Sequence, residues 1–325
     1  MKSNLNRIVV ASAIMLMIGT AFFSASYAAV EIDSYPNYSP GDYFEYDLNA
    51  TPMMKSMMSS MLGKNLNLSI SAESAKLRFT GTEDVSLNGT TYHCIVGEVQ
   101  MKIKMSFSGE YMGISYTGNA YMVMSQKMWQ EKSSMKQVKE ESMQHMFINT
   151  TAQGRNSNME RKSISDIVYS PPIADFEPPL KVGKTWQNDA NQIIHMKQME
   201  RMNGGSWKSS ESNTTSKETI KYDVLSEEVV KTAAGSFNTL KVKEIRGNSQ
   251  SDYTYIYYSD KGFPVKMEMY SNGNLTTSME LKSYNYQSES KSGGNSSSGG
   301  GLPGFEAIAF IGALSIAAYA YARRK

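Results

Sequence analysis

The sequence predicts a mainly β protein. It calls for a curved antiparallel sheet or half-barrel domains in two tandem copies, flanked by one apolar helical segment at each end. Three observations predict this. Apolar and polar residues alternate along many short runs, turn dipeptides separate the runs, and motifs of the first half recur in the second.

The alternation is the primary signal. Leu66, Leu68 and Ile70 interleave with Asn67 and Ser69, and Met101, Ile103, Met105 and Phe107 with Lys102, Lys104 and Ser106. Val265, Met267 and Met269 interleave with Lys266 and Glu268, and Leu275, Thr277, Met279 and Leu281 follow the same rule. Period two with one polar face marks half-buried antiparallel strands. Asn88-Gly89, Asp260-Lys261-Gly262 and Asn272-Gly273-Asn274 supply turns between them. In residues 131–147, Met135, Val138, Met143 and Met146 stand near helical spacing, which predicts a helix.

The duplication rests on three matches in the same order. "PGDYFEYDLN" aligns with "VGKTWQNDAN", pairing Gly41 with Gly183, Phe44 with Trp186 and Asp47 with Asp189. "EDVSLNGTTYHCIVGE" aligns with "EEVVKTAAGSFNTLKVKE", and "YMVMSQKMWQEK" with "YIYYSDKGFPVK". The offset moves from 142 to 146 and then to 134, as loop insertions require. Two β-rich domains follow, residues 29–169 and 181–287, with the Pro-rich residues 170–180 as linker.

The chain ends carry sorting features. Lys2 and Arg7 precede an apolar run over residues 8–23, and Ser26-Tyr27-Ala28 presents small residues for cleavage after Ala28, so residues 1–28 read as a signal peptide. An uncleaved anchor is the alternative. Residues 288–301, rich in Ser and Gly, hold no apolar side chain and form a stalk that reaches roughly 20 Å. Residues 302–325 combine Pro303-Gly304-Phe305, a short apolar run and the basic end Arg323-Arg324-Lys325, which holds that end inside. This tail resembles the PGF-CTERM sorting signal of archaeal surface proteins. The resemblance implies an archaeosortase as processing partner after signal peptidase, and attachment to a membrane lipid. A retained transmembrane helix is the other reading.

Composition narrows the classes. Residues 29–301 carry 28 basic and 30 acidic residues, a net charge of −2, which argues against a nucleic-acid surface. Cys94 is the single cysteine, so no intramolecular disulfide forms, and its strand context predicts a buried small hydrophobe. Asn37, Asn49, Asn67, Asn88, Asn149, Asn213, Asn274 and Asn295 each open a sequon, a candidate glycosylation site in an exported chain.

The second half carries another resemblance. Trp186, Gly235, Phe237, Tyr257, Gly262 and Val265 hold the positions of an opening Gly-x-x-Trp strand and two hairpins. This pattern is similar to secreted β-rich domains of uncharacterised function, themselves distantly similar to the half-barrel carriers of lipoproteins. The resemblance implies a curved sheet with an apolar inner face.

No HExxH, GxSxG, P-loop or GxGxxG occurs, and only His93, His145 and His195 supply imidazole. The expectation is a non-enzymatic protein without cofactor. Methionine is abundant at 24 residues, with clusters at Met53, Met54, Met57, Met58 and Met61 and at His195, Met196, Met199 and Met202. Thioether and imidazole suit Cu(I), whereas flexible methionine also suits a packed core or an adaptable apolar groove. Tyr253, Tyr255, Tyr257 and Tyr258 form a tyrosine-rich strand suited to a glycan or a partner surface. Three roles follow: a surface protein binding a lipid-like or hydrophobic ligand, a structural envelope component making partner contacts, or extracellular copper capture through His195, Met196, Met199 and Met202.

Overall fold

Directly opposed residues on adjacent strands share a face, so alternation in one strand passes to the next. In this protein the rule runs through a single sheet. A computed structural model describes residues 30–62, 66–111, 113–247 and 249–287. The expected signal peptide with Ala28, the stalk with Asn295, and the tail with Pro303, Gly304 and Phe305 lie outside the described residues. The strands are β1 (Tyr43–Asn49), β2 (Leu66–Leu87), β3 (Thr90–Tyr111), β4 (Ile114–Glu131), β5 (Gln137–Ala152), β6 (Arg155–Ile173), β7 (Thr185–Met202), β8 (Lys208–Thr232), β9 (Gly235–Arg246), β10 (Tyr253–Ser259), β11 (Pro264–Ser271) and β12 (Asn274–Asn285). Each pairs antiparallel with its neighbour in sequence, and β1 pairs with β12, which closes the sheet into a barrel.

The register carries one stripe of inward residues around the wall. Phe44 opposes Leu77, Leu77 opposes Val99, Val99 opposes Gln126, Gln126 opposes Ser142, and Ser142 opposes Ser165. The stripe passes from apolar to polar as it crosses β4 and β5. Met101, Ile103, Met105, Phe107, Met122, Met124, Met146 and Ile148 are all buried on the inward face. Lys102, Lys104, Ser125 and Lys127 occupy intervening outward positions. A lipid-spanning barrel needs an apolar outward band, so this wall has the polarity of a barrel standing in water.

The strands are unequal. β2 and β8 run for 22 and 25 residues, β10 and β11 for 7 and 8. The helix α1 (Thr51–Leu62) joins β1 to β2 and packs against β2 and β12. Met54 and Met58, one turn apart, face inward with no exposure, and the Thr277 hydroxyl lies 3.7 Å from the Met53 sulfur.

The sheet departs from the expected pair of separate domains. β6 and β7 pair from Met159–Met202 to Ser170–Asn191, so residues 29–169 and 181–287 contribute to one sheet. Either six-strand half alone would leave two unpaired edges, and joining them removes both. Local geometry nevertheless recurs between the halves. Gly41 (φ +103°) donates to the Phe79 carbonyl at 2.8 Å and Phe79 donates to Asp42 at 2.9 Å. Gly183 (φ +86°) donates to Val224 at 2.9 Å and Val224 donates to Lys184 at 2.9 Å. The β2–β3 register slips between Phe79 and Gly81, and the β8–β9 register between Val224 and Ser226, at the same distance from those bonds.

Residues 170–180, expected as a linker, are held by the barrel. Ser170 to Ile173 finish β6, and Ala174, Asp175, Phe176 and Leu180 are buried. Ile32 and Leu180 exchange backbone bonds of 3.0 and 2.9 Å. The helix expected over residues 131–147 is absent. Met135 occupies a turn at φ +54°, and β5 begins at Gln137 with a register shift across Val138. The bulge and the turn together place apolar residues at a spacing that imitates a helix.

Candidate functional site

Inward positions of the short-strand side and of β5–β8 hold charge. Glu140 on β5 shares its face with Ser142, Glu218 on β8 with Ile220 and Tyr222, and Glu244 and Arg246 on β9 with Leu240 and Val242. Asp175 enters from the segment between β6 and β7. Tyr169, Tyr222 and Tyr258 are fully buried around them. Four carboxyl groups thus share one guanidinium in the barrel interior.

Their bonds form two linked groups. Arg246 Nε donates to Glu244 at 2.6 Å, and its terminal nitrogen lies 3.5 Å from Glu218. Gln192 also donates to Glu218. The Tyr222 hydroxyl donates to Asp175 at 2.5 Å, and Tyr222 stacks on Trp186 at 4.6 Å between ring centres. Trp186 and Asn188 both donate to the Ala174 carbonyl, at 3.1 and 2.6 Å, which fixes the backbone next to Asp175. On the opposite wall Gln137 Nε2 donates to Glu140 at 3.1 Å.

Charge in an apolar interior is expensive unless paired, and the group responds by holding protons. Burial pushes Glu140 up to about 7, against the opposing pull of the Arg246 charge and the Gln137 bond. Burial pushes Asp175 up to about 8, again opposed by Arg246 and reinforced by Glu244. Glu218 is raised for the same first reason. Burial works against the Arg246 charge, but Glu244, Tyr222, Glu218 and Asp175 hold it firmly protonated. Gln126 and Tyr169 also bond to the Glu140 carboxyl, while Gln137 Oε1, the Tyr258 hydroxyl and Ser259 Oγ have no hydrogen-bond partner.

The residues singled out from sequence lie elsewhere. His195, Met196, Met199 and Met202 sit on β7, a strand, so His195 and Met199 face one side and Met196 and Met202 the other. His195 and Met199 are four residues apart, about 13 Å along an extended chain. His195 Nδ1 is bonded to Asn213, and the Met196 sulfur accepts from Gln198 at 3.3 Å. The sheet therefore does not gather these four around one ion. Among the described residues no cluster of three His, Cys, Asp or Glu side chains has metal-binding geometry.

Asn37, Asn49, Asn67, Asn88, Asn213 and Asn274 are exposed, and Asn149 is half-buried beside Asn119. Cys94 is buried with Val96, Trp129 and Val138 in a satellite cluster on the face opposite Met128. Tyr253, Tyr255 and Tyr270 form a ladder on the outer face, with Tyr253 and Tyr270 stacked at 4.8 Å and Lys241 and Lys243 over the rings. Tyr258 turns inward in phase with Thr254 and Ile256 and opposes the buried Leu240.

No known protein family matches the chain, and no curated protein matches it. Among solved structures it is similar to a protein of YmcC-like fold from Bacteroides fragilis, inferred to be exported. Identity is 13% and the TM-score 0.28, over 78% of this chain and 99% of that one.

Proposed function

We propose that this chain is an exported, membrane-anchored and glycosylated surface protein of archaeal type, whose barrel binds a lipid-like or hydrophobic ligand without transforming it. The observation that carries the ligand reading is the methionine content of the barrel interior. Met101, Met105, Met122, Met124, Met128 and Met146 all line the inward face at 4% exposure or less. Unbranched thioether side chains repack at low cost, so such an interior can take a flexible apolar guest. Among the described residues α1 packs chiefly against β2 and β12 through the buried Met54 and Met58, with no acidic residue in its first turn and no basic one in its last.

The binding rather than catalytic role rests on the distribution of nucleophiles and bases. His93 and His195 are exposed and His145 is half-buried, and they are bonded to Asp84, Asn213 and Glu160 respectively. Burial pushes the Cys94 thiol up to about 12, far from a working thiolate. Export, anchoring and glycan attachment rest on the sequence features at the chain ends and on six exposed sequon asparagines. The recurring turn and bulge at Gly41–Phe79 and Gly183–Val224 support a fused duplication as the origin of the barrel.

The test is mass spectrometry of the intact protein extracted gently from its native membrane, beside Met54→Lys and Met58→Lys variants. A noncovalent lipid on the parent protein, diminished in the variants, is the expected result. A ligand-free parent protein overturns the lipid reading. A second reading, a structural envelope component, draws on the outer tyrosine ladder at Tyr253, Tyr255 and Tyr270, and it predicts lateral assemblies of the lipid-free protein.

A further inference from the structure

The inward face changes polarity from strand to strand in the part of the barrel next to the turn between β7 and β8. One line of directly opposed residues runs from Met101 and Met124 through Gln144 and Ser163 to Gln198 and Ser210. The adjacent inward line runs from Ile103, Met122 and Met146 to Arg161 and Glu200. Opposed residues share a face, so both lines lie on the interior wall, apolar through β4 and polar from β6 onward. Burial divides in the same place. Met101, Ile103, Met122, Met124 and Met146 are buried, Arg161, Ser163 and Gln198 are half-buried, and Glu200 and Ser210 are exposed.

The polar half stands open. β8 pairs with β9 only from Ile220 onward, and β1 pairs with β2 only from Ala75 to Arg78, so the ring of closed strands is shorter than β2 to β8. Residues 208–215 of β8 are exposed on both faces and, among the described residues, have a strand partner only in β7. α1 packs against β2 and β12 instead, next to the apolar half. A guest can therefore reach the methionines from the β8 side without parting a hydrogen-bonded strand pair. The two halves also differ in what they accept. Apolar surface gains by covering a hydrocarbon chain, whereas a polar head loses unless it stays hydrated or finds hydrogen-bond partners. The methionines of β3 to β5 serve the chain. Ser163, Gln198 and Ser210 serve the head, together with Arg161, which donates to Gln198 Oε1 at 3.1 Å.

We propose that the ligand is an amphipathic lipid lying across the strands, with its tail among the methionines of β3 to β5 and its polar head on the open inner face of β7 and β8, through which it enters. This inference rests on the carrier reading above and adds the ligand's class, orientation and route. Three strand spacings, about 14 Å, separate β5 from β8, so the head stays in water while the tail is covered.

The test follows uptake of cis-parinaric acid, an amphiphile whose tail fluoresces in apolar surroundings, by the full-length protein held in amphipol. Ser210 and Ser212 face inward on β8, Ser209 and Thr215 face outward, and all four are exposed, so the core needs none of them. The inward pair Ser210→Trp and Ser212→Trp is expected to slow uptake by more than about tenfold through a steric clash, while the outward pair Ser209→Trp and Thr215→Trp changes it by less than about twofold. Diphenylhexatriene, which has no polar head, is expected to bind at least about tenfold more weakly than the acid. Equal rates in the two paired variants, or a hydrocarbon probe bound as tightly as the acid, overturn the inference and leave the carrier reading standing. If the parent protein takes up neither probe, both fall together. Should the inward pair fold poorly, Ser210→Trp against Ser209→Trp decides alone.

Discussion

The Tyr222 hydroxyl donates to the Asp175 carboxyl at 2.5 Å and thereby ties β8 to the segment between β6 and β7. Both partners are buried, so neither finds water when the other is removed. Tyr222→Phe is expected to destabilise the protein by about 1–3 kcal/mol, read by urea unfolding. Adding Asp175→Ala to that variant should cost less than the two single losses combined, because the two groups share one bond. Fully additive losses would show that Asp175 is held by something else.

A pH dependence follows from the buried acids. Glu140 and Asp175 have ordinary values of 4.5 and 3.8 and are raised by burial to about 7 and about 8. Between those limits the folded state holds protons that the unfolded state has released. Stability from these groups is therefore fullest at the acidic end and declines as pH rises through 7 and 8. Asp189 and Asp252 act oppositely, since hydrogen bonds from Thr219 and from the Asn272 backbone hold them low, so their share is lost in acid. Melting curves from pH 5 to 9 should fall toward the alkaline side, roughly across the window these shifts set, and Glu140→Gln or Asp175→Asn should flatten that fall. A midpoint that climbs with pH over this window contradicts the assignment.

Gly118 on β4 opposes Phe107 on β3, and the Phe107 ring lies over the glycine. A methyl at this position would run into that ring and into the Asn149 carbonyl. Gly118→Ala is expected to cost about 1–3 kcal/mol in denaturant unfolding. Shortening Phe107 to leucine in the same chain should recover only part of the loss, because the Asn149 backbone remains in the way.

Cys94 provides a probe of the wall itself. It is fully buried, and its thiol is raised to about 12. A disulfide reagent at mildly alkaline pH should leave the native protein unmodified and react with the thiol once urea opens the barrel. Rapid labelling of the native state would mean that the Cys94–Trp129 cluster opens without unfolding.

The strands were legible because alternation survives burial on one face only. Met101, Ile103, Met105 and Phe107 turn inward as their spacing predicts, and the Asn88-Gly89 turn sits where the dipeptide stands. The barrel as one sheet was not legible, because all but one of the β6–β7 pairs join residues outside the repeat motifs, Met159 to Tyr169 with Gln192 to Met202. The third repeat match also shifts. Strand pairing sets Trp129 in the place of Tyr257, since Val96 and Lys241 are their partners at equivalent points beyond the bulge. The polar interior was hidden for a different reason. Glu140, Asp175, Glu218, Glu244 and Arg246 come from four separate elements, and sequence cannot pair carboxylates. One clue was present: Glu244 and Arg246 keep the phase of Leu240 and Val242, which marks them as charged residues on a buried face.

The pairing that shuts the barrel sets a constraint on the time order of synthesis. Tyr43 pairs with Asn285, so the first strand to be made has its partner in the last. The hairpins from β2 to β11 can zip one after another as the chain lengthens, because each strand meets its successor. Closure waits for the whole body, and such a distant contact is slow to form. A chain stopped before residue 274 would not yield a smaller barrel. It would remain an open sheet with β1 ready to pair with a neighbouring molecule.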